Sequence, residues 1–207
     1  MIIGLCGEIA AGKDATYLRA SEIYGDRFEV ARVGFADKMK ESIAAIFGLS
    51  QEFIELEKRN PLTTVSVCSP VQDDHGNVGE NCITLTFREF IQNYGTEAHR
   101  GVFGDLFWVD ATLPMDFDHR GKIIFVTDTR FATEQQRVVD HGGVNILVQS
   151  ETVATARETR HSSENGLDMD LIHYTIDNRE RTDNFSTLDD QLIDIVDEIL
   201  ELETMEA

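Results

Sequence analysis

The first residues that could do chemistry form a glycine-bounded loop near the start of the sequence. Residues 7–13 (GEIAAGK) match the pattern GxxxxGK, after an apolar run and before a predicted helix. Such a loop turns its backbone N–H groups inward, and these donors hold phosphates together with the helix N-terminus. A plain turn between strand and helix is the alternative. We name residues 7–13 the phosphate loop and predict that it binds ATP through Gly7, Ala10, Ala11, Gly12 and Lys13.

Two acidic residues are placed to bind the Mg²⁺ that accompanies a triphosphate. Asp14 stands where a serine or threonine hydroxyl usually holds the metal, and a carboxylate binds Mg²⁺ directly or through water. Thr16 is no simple substitute, because two helical steps turn it away from Asp14. Asp128 follows the apolar run 122–127 (KIIFVT), at the carboxyl end of a predicted central strand. We predict Asp14 and Asp128 as metal ligands, with helix capping as the alternative role of Asp128.

A cation lies close to each of these acids. Lys13 would reach the β- and γ-phosphates and offset charge in the transition state. Asp14, the next residue, is predicted as a second catalytic residue. Arg130, two residues beyond Asp128, is predicted to contact a phosphate as a third catalytic residue. An i,i+4 ion pair with Glu134 is its alternative role.

A further polar group suits a nucleotide that accepts a phosphoryl group. The capping box at 86–89 predicts a helix over 87–99, and helical spacing brings several of its polar side chains near one face. Guanidinium groups suit phosphate and an amide suits base edges, although a solvated polar face has the same pattern. The predicted acceptor-binding residues are Arg88, Gln92, Thr96, Glu97 and Arg100, together with Asp37, Lys38 and Arg130.

The elements that position these residues alternate between strands and helices. Predicted strands cover 1–6, 28–35, 122–127, 144–148 and 173–176. Predicted helices cover 12–24, 37–47, 51–59, 87–99, a segment ending near His141, and 186–202. Residues 60–83 are rich in turn formers and predict a long loop or a hairpin. The alternation predicts one domain, a three-layer α/β/α sandwich with a mostly parallel sheet.

Composition excludes several classes of partner. The net charge of −20, from 18 basic and 38 acidic residues, gives no basic footprint for stable nucleic-acid binding. No apolar run approaches the roughly 20 residues of a membrane helix, and no signal peptide is predicted. The three cysteines form no CxxC pair and the six histidines have no ligand spacing, which favours a reduced cytoplasm without structural zinc.

Five segments, in order along the chain, resemble the deoxynucleoside monophosphate kinases of tailed bacteriophages. They are GLCGEIAAGKD (4–14), GFADKMKESIAAIFGLS (34–50), TFREFIQNYGTEAHR (86–100), VTDTRFATE (126–134) and HSSE (161–164). In that family GKD is a common form of the loop, whereas the hydroxyl residue that often follows is here Ala15. Residues 60–83 have no counterpart that we can name.

The resemblance implies a P-loop kinase that phosphorylates deoxynucleoside monophosphates with ATP and Mg²⁺. It implies an acceptor-binding region over about 37–112 and a mobile lid over about 150–166. Arg157 would then close on ATP and Arg160 on the acceptor. The sequence leaves open whether the chain forms a homodimer.

Three other functions remain open from the residues alone. A kinase for another small acceptor, such as dephospho-coenzyme A, shares the early motifs. A kinase acting on a modified base within DNA is disfavoured by the charge of −20. A GTP-binding switch usually carries an NKxD motif that reads guanine, and this sequence has none.

Overall fold

The computed structural model describes residues 1–72, 78–150, 166–179 and 185–206. Arg157, Arg160 and the rest of the predicted lid between residues 150 and 166 lie outside the described residues. The chain divides into two compact units, which are described separately. The first unit comprises residues 1–36 and 109–207, and the second comprises residues 37–108.

The helices and strands follow the order expected for an α/β protein. The strands are β1 (Ile2–Cys6), β2 (Glu29–Val33), β3 (Thr64–Gln72), β4 (Val78–Thr86), β5 (Lys122–Thr129), β6 (Val144–Gln149) and β7 (Tyr174–Asp177). The helices are α1 (Lys13–Tyr24), α2 (Phe35–Phe47), α3 (Gln51–Glu57), α4 (Phe87–Asn93), α5 (Gly101–Phe103), α6 (Phe107–Thr112), α7 (Ala132–Asp140) and α8 (Ser186–Glu206). A π-helical segment (Tyr94–Arg100) continues α4, and Met169–Leu171 is a short 3₁₀ turn.

The first unit is built on a five-stranded sheet in the order β2-β5-β1-β6-β7, and every pair of neighbouring strands is parallel. Successive residues of β5 bury opposite faces. Phe125 packs into one apolar cluster, whereas Ile124 and Val126 pack into another. A strand buried on both sides needs helices on both faces of the sheet. The predicted α/β sandwich with a mostly parallel sheet is confirmed.

Helices cover the two faces of this sheet with different residues. On one face, α1 contributes Tyr24 and α8 contributes Leu192, and Arg19 of α1 forms an ion pair with Asp189 of α8. On the other face, α7 contributes Val138. No helix among the described residues is long and apolar enough to cross a membrane.

The second unit has its own small apolar core, formed by Ile43, Ile54, Phe87 and Ile91. The segment predicted as a loop or hairpin is a hairpin, with β3 and β4 antiparallel. Its register places Cys68 directly opposite Cys82, and the two form a disulfide. The expectation of reduced cysteines is therefore wrong for this pair, because their juxtaposition depends on a cross-strand register that spacing along the chain does not reveal.

The predicted α-helix over 87–99 is wrong beyond Asn93, where the π-helical segment begins. Close packing accompanies this change in winding. The Trp108 indole donates to the Gly95 carbonyl at 3.0 Å, and a Cβ on Gly95 would lie 2.3 Å from the Met39 sulfur. These contacts come from residues far along the chain, so a pattern based on 3.6 residues per turn could not predict them.

Candidate active site

The phosphate loop joins the carboxyl end of β1 to the first residue of α1. Three of its residues have positive φ angles, 134° at Gly7, 63° at Ala10 and 112° at Gly12. A Cβ on Gly7 would lie 2.4 Å from the carbonyl oxygen of Val148, so the loop can pass β6 only with glycine there. The Asn178 side chain donates to the Ala11 carbonyl at 2.8 Å and holds the far end of the loop.

Lys13 lies over its own loop. Its Nζ donates to the carbonyl oxygens of Gly7 at 2.7 Å and Glu8 at 2.8 Å. Burial lowers the pKa of Lys13, and the nearby Arg130 lowers it further, whereas Asp14 and Asp128 act in the opposite direction. The structure thus brings four residues predicted from sequence within electrostatic range of one another. The two cations, Lys13 and Arg130, have the charge that phosphate oxygens need, and the two carboxylates have the charge that an accompanying metal ion needs.

Asp128 lies one residue before the end of β5 and is oriented by the start of α2. Its two carboxylate oxygens accept the backbone N–H groups of Phe35 at 2.7 Å and Ala36 at 2.9 Å. These are amides of a helical first turn, which have no partner within the helix. The carboxylate therefore caps α2, which is a different helix from the one that follows it in the chain.

Both predicted metal ligands have carboxylate oxygens with the donor chemistry that Mg²⁺ prefers. Asp14 lies exposed in the first turn of α1, and each Asp128 oxygen keeps a lone pair beyond its one hydrogen bond. Mg²⁺ in kinase sites takes one or two carboxylates and fills its octahedron with phosphate oxygens and water. The Thr16 hydroxyl donates to the Gly12 carbonyl at 3.1 Å, and its predicted exclusion from the metal site stays a prediction.

A cavity of about 470 Å³ opens beside the phosphate loop. It is lined by Gly7 and Glu8 of the loop, by the end of β6, and by Arg130 and Arg179. Its volume is within the range of small-molecule sites, and it lies where parallel strands end, the usual ligand position in open α/β sheets. The Glu134 carboxylate accepts the backbone N–H of Arg130 at 2.7 Å, which fixes the turn after β5.

Arg179 and Asn178 were missed by sequence reasoning. Both follow β7, and the backbone N–H of Asn178 donates to the Gln149 carbonyl at the end of β6. The Arg179 guanidinium bonds to Asp177 and lowers the pKa of that carboxyl to about 2. Their position in the sequence could have indicated them, because polar residues directly after the last predicted parallel strand lie at the edge of the sheet where ligands usually bind.

The predicted acceptor-binding residues of the second unit lie on two kinds of helix. Arg88 is exposed and Gln92 is half-buried on α4. The π-helical segment carries the remainder, Thr96 and Glu97 exposed and Arg100 half-buried.

The two predicted acceptor residues of α2 already have partners within the helix. Asp37 forms an ion pair with Lys40 at 3.0 Å, and Lys38 forms one with Glu41 at 2.8 Å.

Comparison with known families identifies one match. A family model described as deoxynucleotide monophosphate kinase matches residues 26–188. The match covers most of the chain, from just after α1 to the first turn of α8, and leaves the phosphate loop outside its limits. No curated protein is similar enough to the chain to count as a match.

Proposed function

Because the chain belongs to the deoxynucleotide monophosphate kinase family, we propose that it transfers the γ-phosphoryl group of ATP to a deoxynucleoside monophosphate. Membership of this family makes the protein a nucleoside monophosphate kinase. The proposal specifies ATP as the donor, Mg²⁺ as the metal and a deoxynucleoside monophosphate as the acceptor.

The observation that carries the proposal is the phosphate loop, in which Lys13 is half-buried and whose residues Gly7 and Glu8 line the cavity of about 470 Å³. The backbone N–H groups of the loop and the first turn of α1 would hold the β- and γ-phosphates. Lys13 would exchange its contacts with loop carbonyls for phosphate oxygens, and Arg130 would approach the same charge from the cavity wall. A triphosphate is the ligand that uses all of these groups.

The reaction needs positioning rather than a covalent intermediate on the protein. An oxygen of the acceptor monophosphate attacks the γ-phosphorus, and the bond from that phosphorus to the β,γ-bridging oxygen breaks. ADP leaves and the acceptor becomes a diphosphate. Asp14 and Asp128 would hold the Mg²⁺, which supplies neutralisation of the phosphate charge.

The acceptor is assigned to the region 37–112. Arg88 and Arg100 would bind its phosphate, Gln92 its base edge, and the remaining polar residues Thr96, Glu97, Asp37 and Lys38 would complete the contacts. The segment 150–166 is proposed as the lid, in which Arg157 and Arg160 close over the phosphates and exclude water.

Release of ADP, measured with each of the deoxy- and ribonucleoside monophosphates in turn, tests the proposal. At least one deoxynucleoside monophosphate should stimulate ADP release and appear as its diphosphate. Equal ADP release with and without every monophosphate would mean hydrolysis alone and would reject the proposed reaction.

Replacement of the acceptor arginines tests the division between donor and acceptor. Arg88→Gln and Arg100→Gln should each raise the acceptor KM by roughly tenfold or more, because one charge-assisted contact is lost. The KM for ATP should stay unchanged, and Arg59→Gln, at another exposed arginine of the second unit, should behave as wild type. Equal effects on both substrates would contradict the assignment.

A further inference from the structure

Five aromatic rings follow one another through the π-helical segment and the residues after it. The centroid of His99 lies 4.4 Å from that of Tyr94, 4.9 Å from Trp108 and 5.2 Å from Phe107. Phe103 stacks on Phe107 at 5.1 Å with an angle of 25° between the planes. We call these five side chains the ring cluster. None of them was among the residues assigned to a substrate.

The ring cluster is buried at one end and open at the other. Trp108 is only 5% exposed, whereas Phe103 is 64% exposed. The inner end is held firmly, since the Trp108 indole donates to the Gly95 carbonyl and the Tyr94 hydroxyl shares a hydrogen bond of 2.7 Å with Ser42. Phe103 therefore exposes an aromatic ring to solvent above a packed and hydrogen-bonded base, which is the form of a stacking platform.

His99 adds one directed polar group to this platform. Its Nδ1 lies 2.6 Å from the Tyr94 carbonyl oxygen, which can only accept, so Nδ1 carries a hydrogen. The tautomer of the neutral ring is thereby set, and Nε2 becomes the nitrogen that can accept a hydrogen bond. Within the part of the chain that the structure describes, no residue bonds to that Nε2.

We propose that the Phe103 face and the His99 Nε2 form the subsite for the nucleobase of the acceptor monophosphate. The inference rests on the proposed function, and it adds the residues that bind the base. A planar heterocycle with ring or amino N–H donors satisfies both features at once, by stacking on Phe103 and donating to His99. The same π-helical segment carries Thr96, Glu97 and Arg100, which places groups for the sugar and phosphate on the element that orients the base.

The flanking residues argue for a small planar ligand. Val102, which directly precedes Phe103, is 70% exposed, and Leu106, three residues after it, is 46% exposed. With Phe103 they make three exposed apolar residues within five positions of sequence. A protein partner would use this apolar patch but would have no need for the anchored imidazole beside it.

Kinetics with one acceptor that carries a base and another that lacks one test the inference. Phe103→Ala should raise the KM for a deoxynucleoside monophosphate by about five- to hundredfold, the usual effect of losing one base–aromatic stack. It should leave the KM for deoxyribose 5-phosphate, an acceptor without a base, unchanged. Leu62→Ala is the matched control, because it trims an exposed apolar side chain of the same unit that is outside the ring cluster. If Phe103→Ala and Leu62→Ala have the same kinetics, or if only the KM for ATP changes, the subsite is wrong.

A second variant tests the hydrogen bond without removing the anchor. His99→Asn keeps a donor near the position of Nδ1 but lacks Nε2. It should therefore alter the ratios of kcat/KM among monophosphates that carry different bases, and it should leave the kcat/KM for deoxyribose 5-phosphate unchanged. An unchanged ratio among bases would remove His99 from the subsite.

Binding can be followed independently of turnover. Trp108 is the one tryptophan of the chain and lies 4.8 Å from Phe107. A deoxynucleoside monophosphate should therefore change its fluorescence, and deoxyribose 5-phosphate should not. If no monophosphate is phosphorylated, the proposed function fails. If monophosphates are phosphorylated while their fluorescence titrations match that of deoxyribose 5-phosphate, only this inference fails.

Discussion

Replacing Lys13 by alanine separates its catalytic role from its structural one. In the free protein, Nζ makes two hydrogen bonds to loop carbonyls, each worth about 0.5–1.5 kcal/mol of net stability. Burial works against them, as shown by the lowered pKa of Lys13. We therefore expect the free energy of unfolding to change by no more than about 1–2 kcal/mol.

Catalysis should respond much more strongly. Loss of a preorganised charge that faces the transferred phosphoryl group costs about 10²–10³ in kcat. The assay is steady-state ADP release at saturating ATP and monophosphate, with urea unfolding of the same preparation. Lys122→Ala is the matched control, because Lys122 forms an exposed ion pair with Glu29 at the opposite end of β5. If Lys13→Ala kept kcat within about threefold of wild type, or lost it only by unfolding, the reasoning would be refuted.

Other residues of the site and the hairpin give three further predictions. Removal of divalent ions with EDTA should abolish phosphoryl transfer, and activity that survives EDTA would contradict the metal assignment. Asp14→Asn should raise the Mg²⁺ concentration that gives half-maximal activity by about tenfold, and it should change the acceptor KM less. Asp128→Ala should lower the free energy of unfolding by about 1–3 kcal/mol, because it leaves two backbone amides of α2 without a partner. An unchanged midpoint of urea unfolding would show that the cap is dispensable. Titration of thiols without reductant should find none in the native protein, because Cys6 is buried, which raises its pKa to about 12, and Cys68 is bonded to Cys82. After denaturation the titration should find one thiol, that of Cys6. Three thiols in denatured, unreduced protein would disprove the disulfide.

The parts of the fold that follow local rules were predictable. The phosphate loop combines fixed glycine positions with an apolar strand before it and a helix after it, and the structure has β1 and α1 on either side. Within the run 122–127, residues 123–126 are all apolar, which indicates a strand buried on both faces, and β5 is an interior strand of the sheet beside β1. Each of these signals lies within about ten residues of sequence.

The parts that depend on distant contacts were not predictable. The orientation of Asp128 comes from the first turn of α2, over ninety residues earlier in the chain. The π-helical segment accompanies close packing between Gly95 and Met39, which no periodicity records. The place of Arg179 beside the phosphate loop depends on the pairing of β7 with β6. The assignment of particular side chains to ATP, Mg²⁺ and acceptor stays a prediction.

Identification of the phosphorylated product tests the central claim most directly. Phosphorus-31 NMR of a mixture of the purified protein, MgATP and a deoxynucleoside monophosphate should show the monophosphate signal replaced by that of its diphosphate, in equal amount to the ADP formed. Appearance of inorganic phosphate with ADP, while every monophosphate signal stays unchanged, would contradict the account.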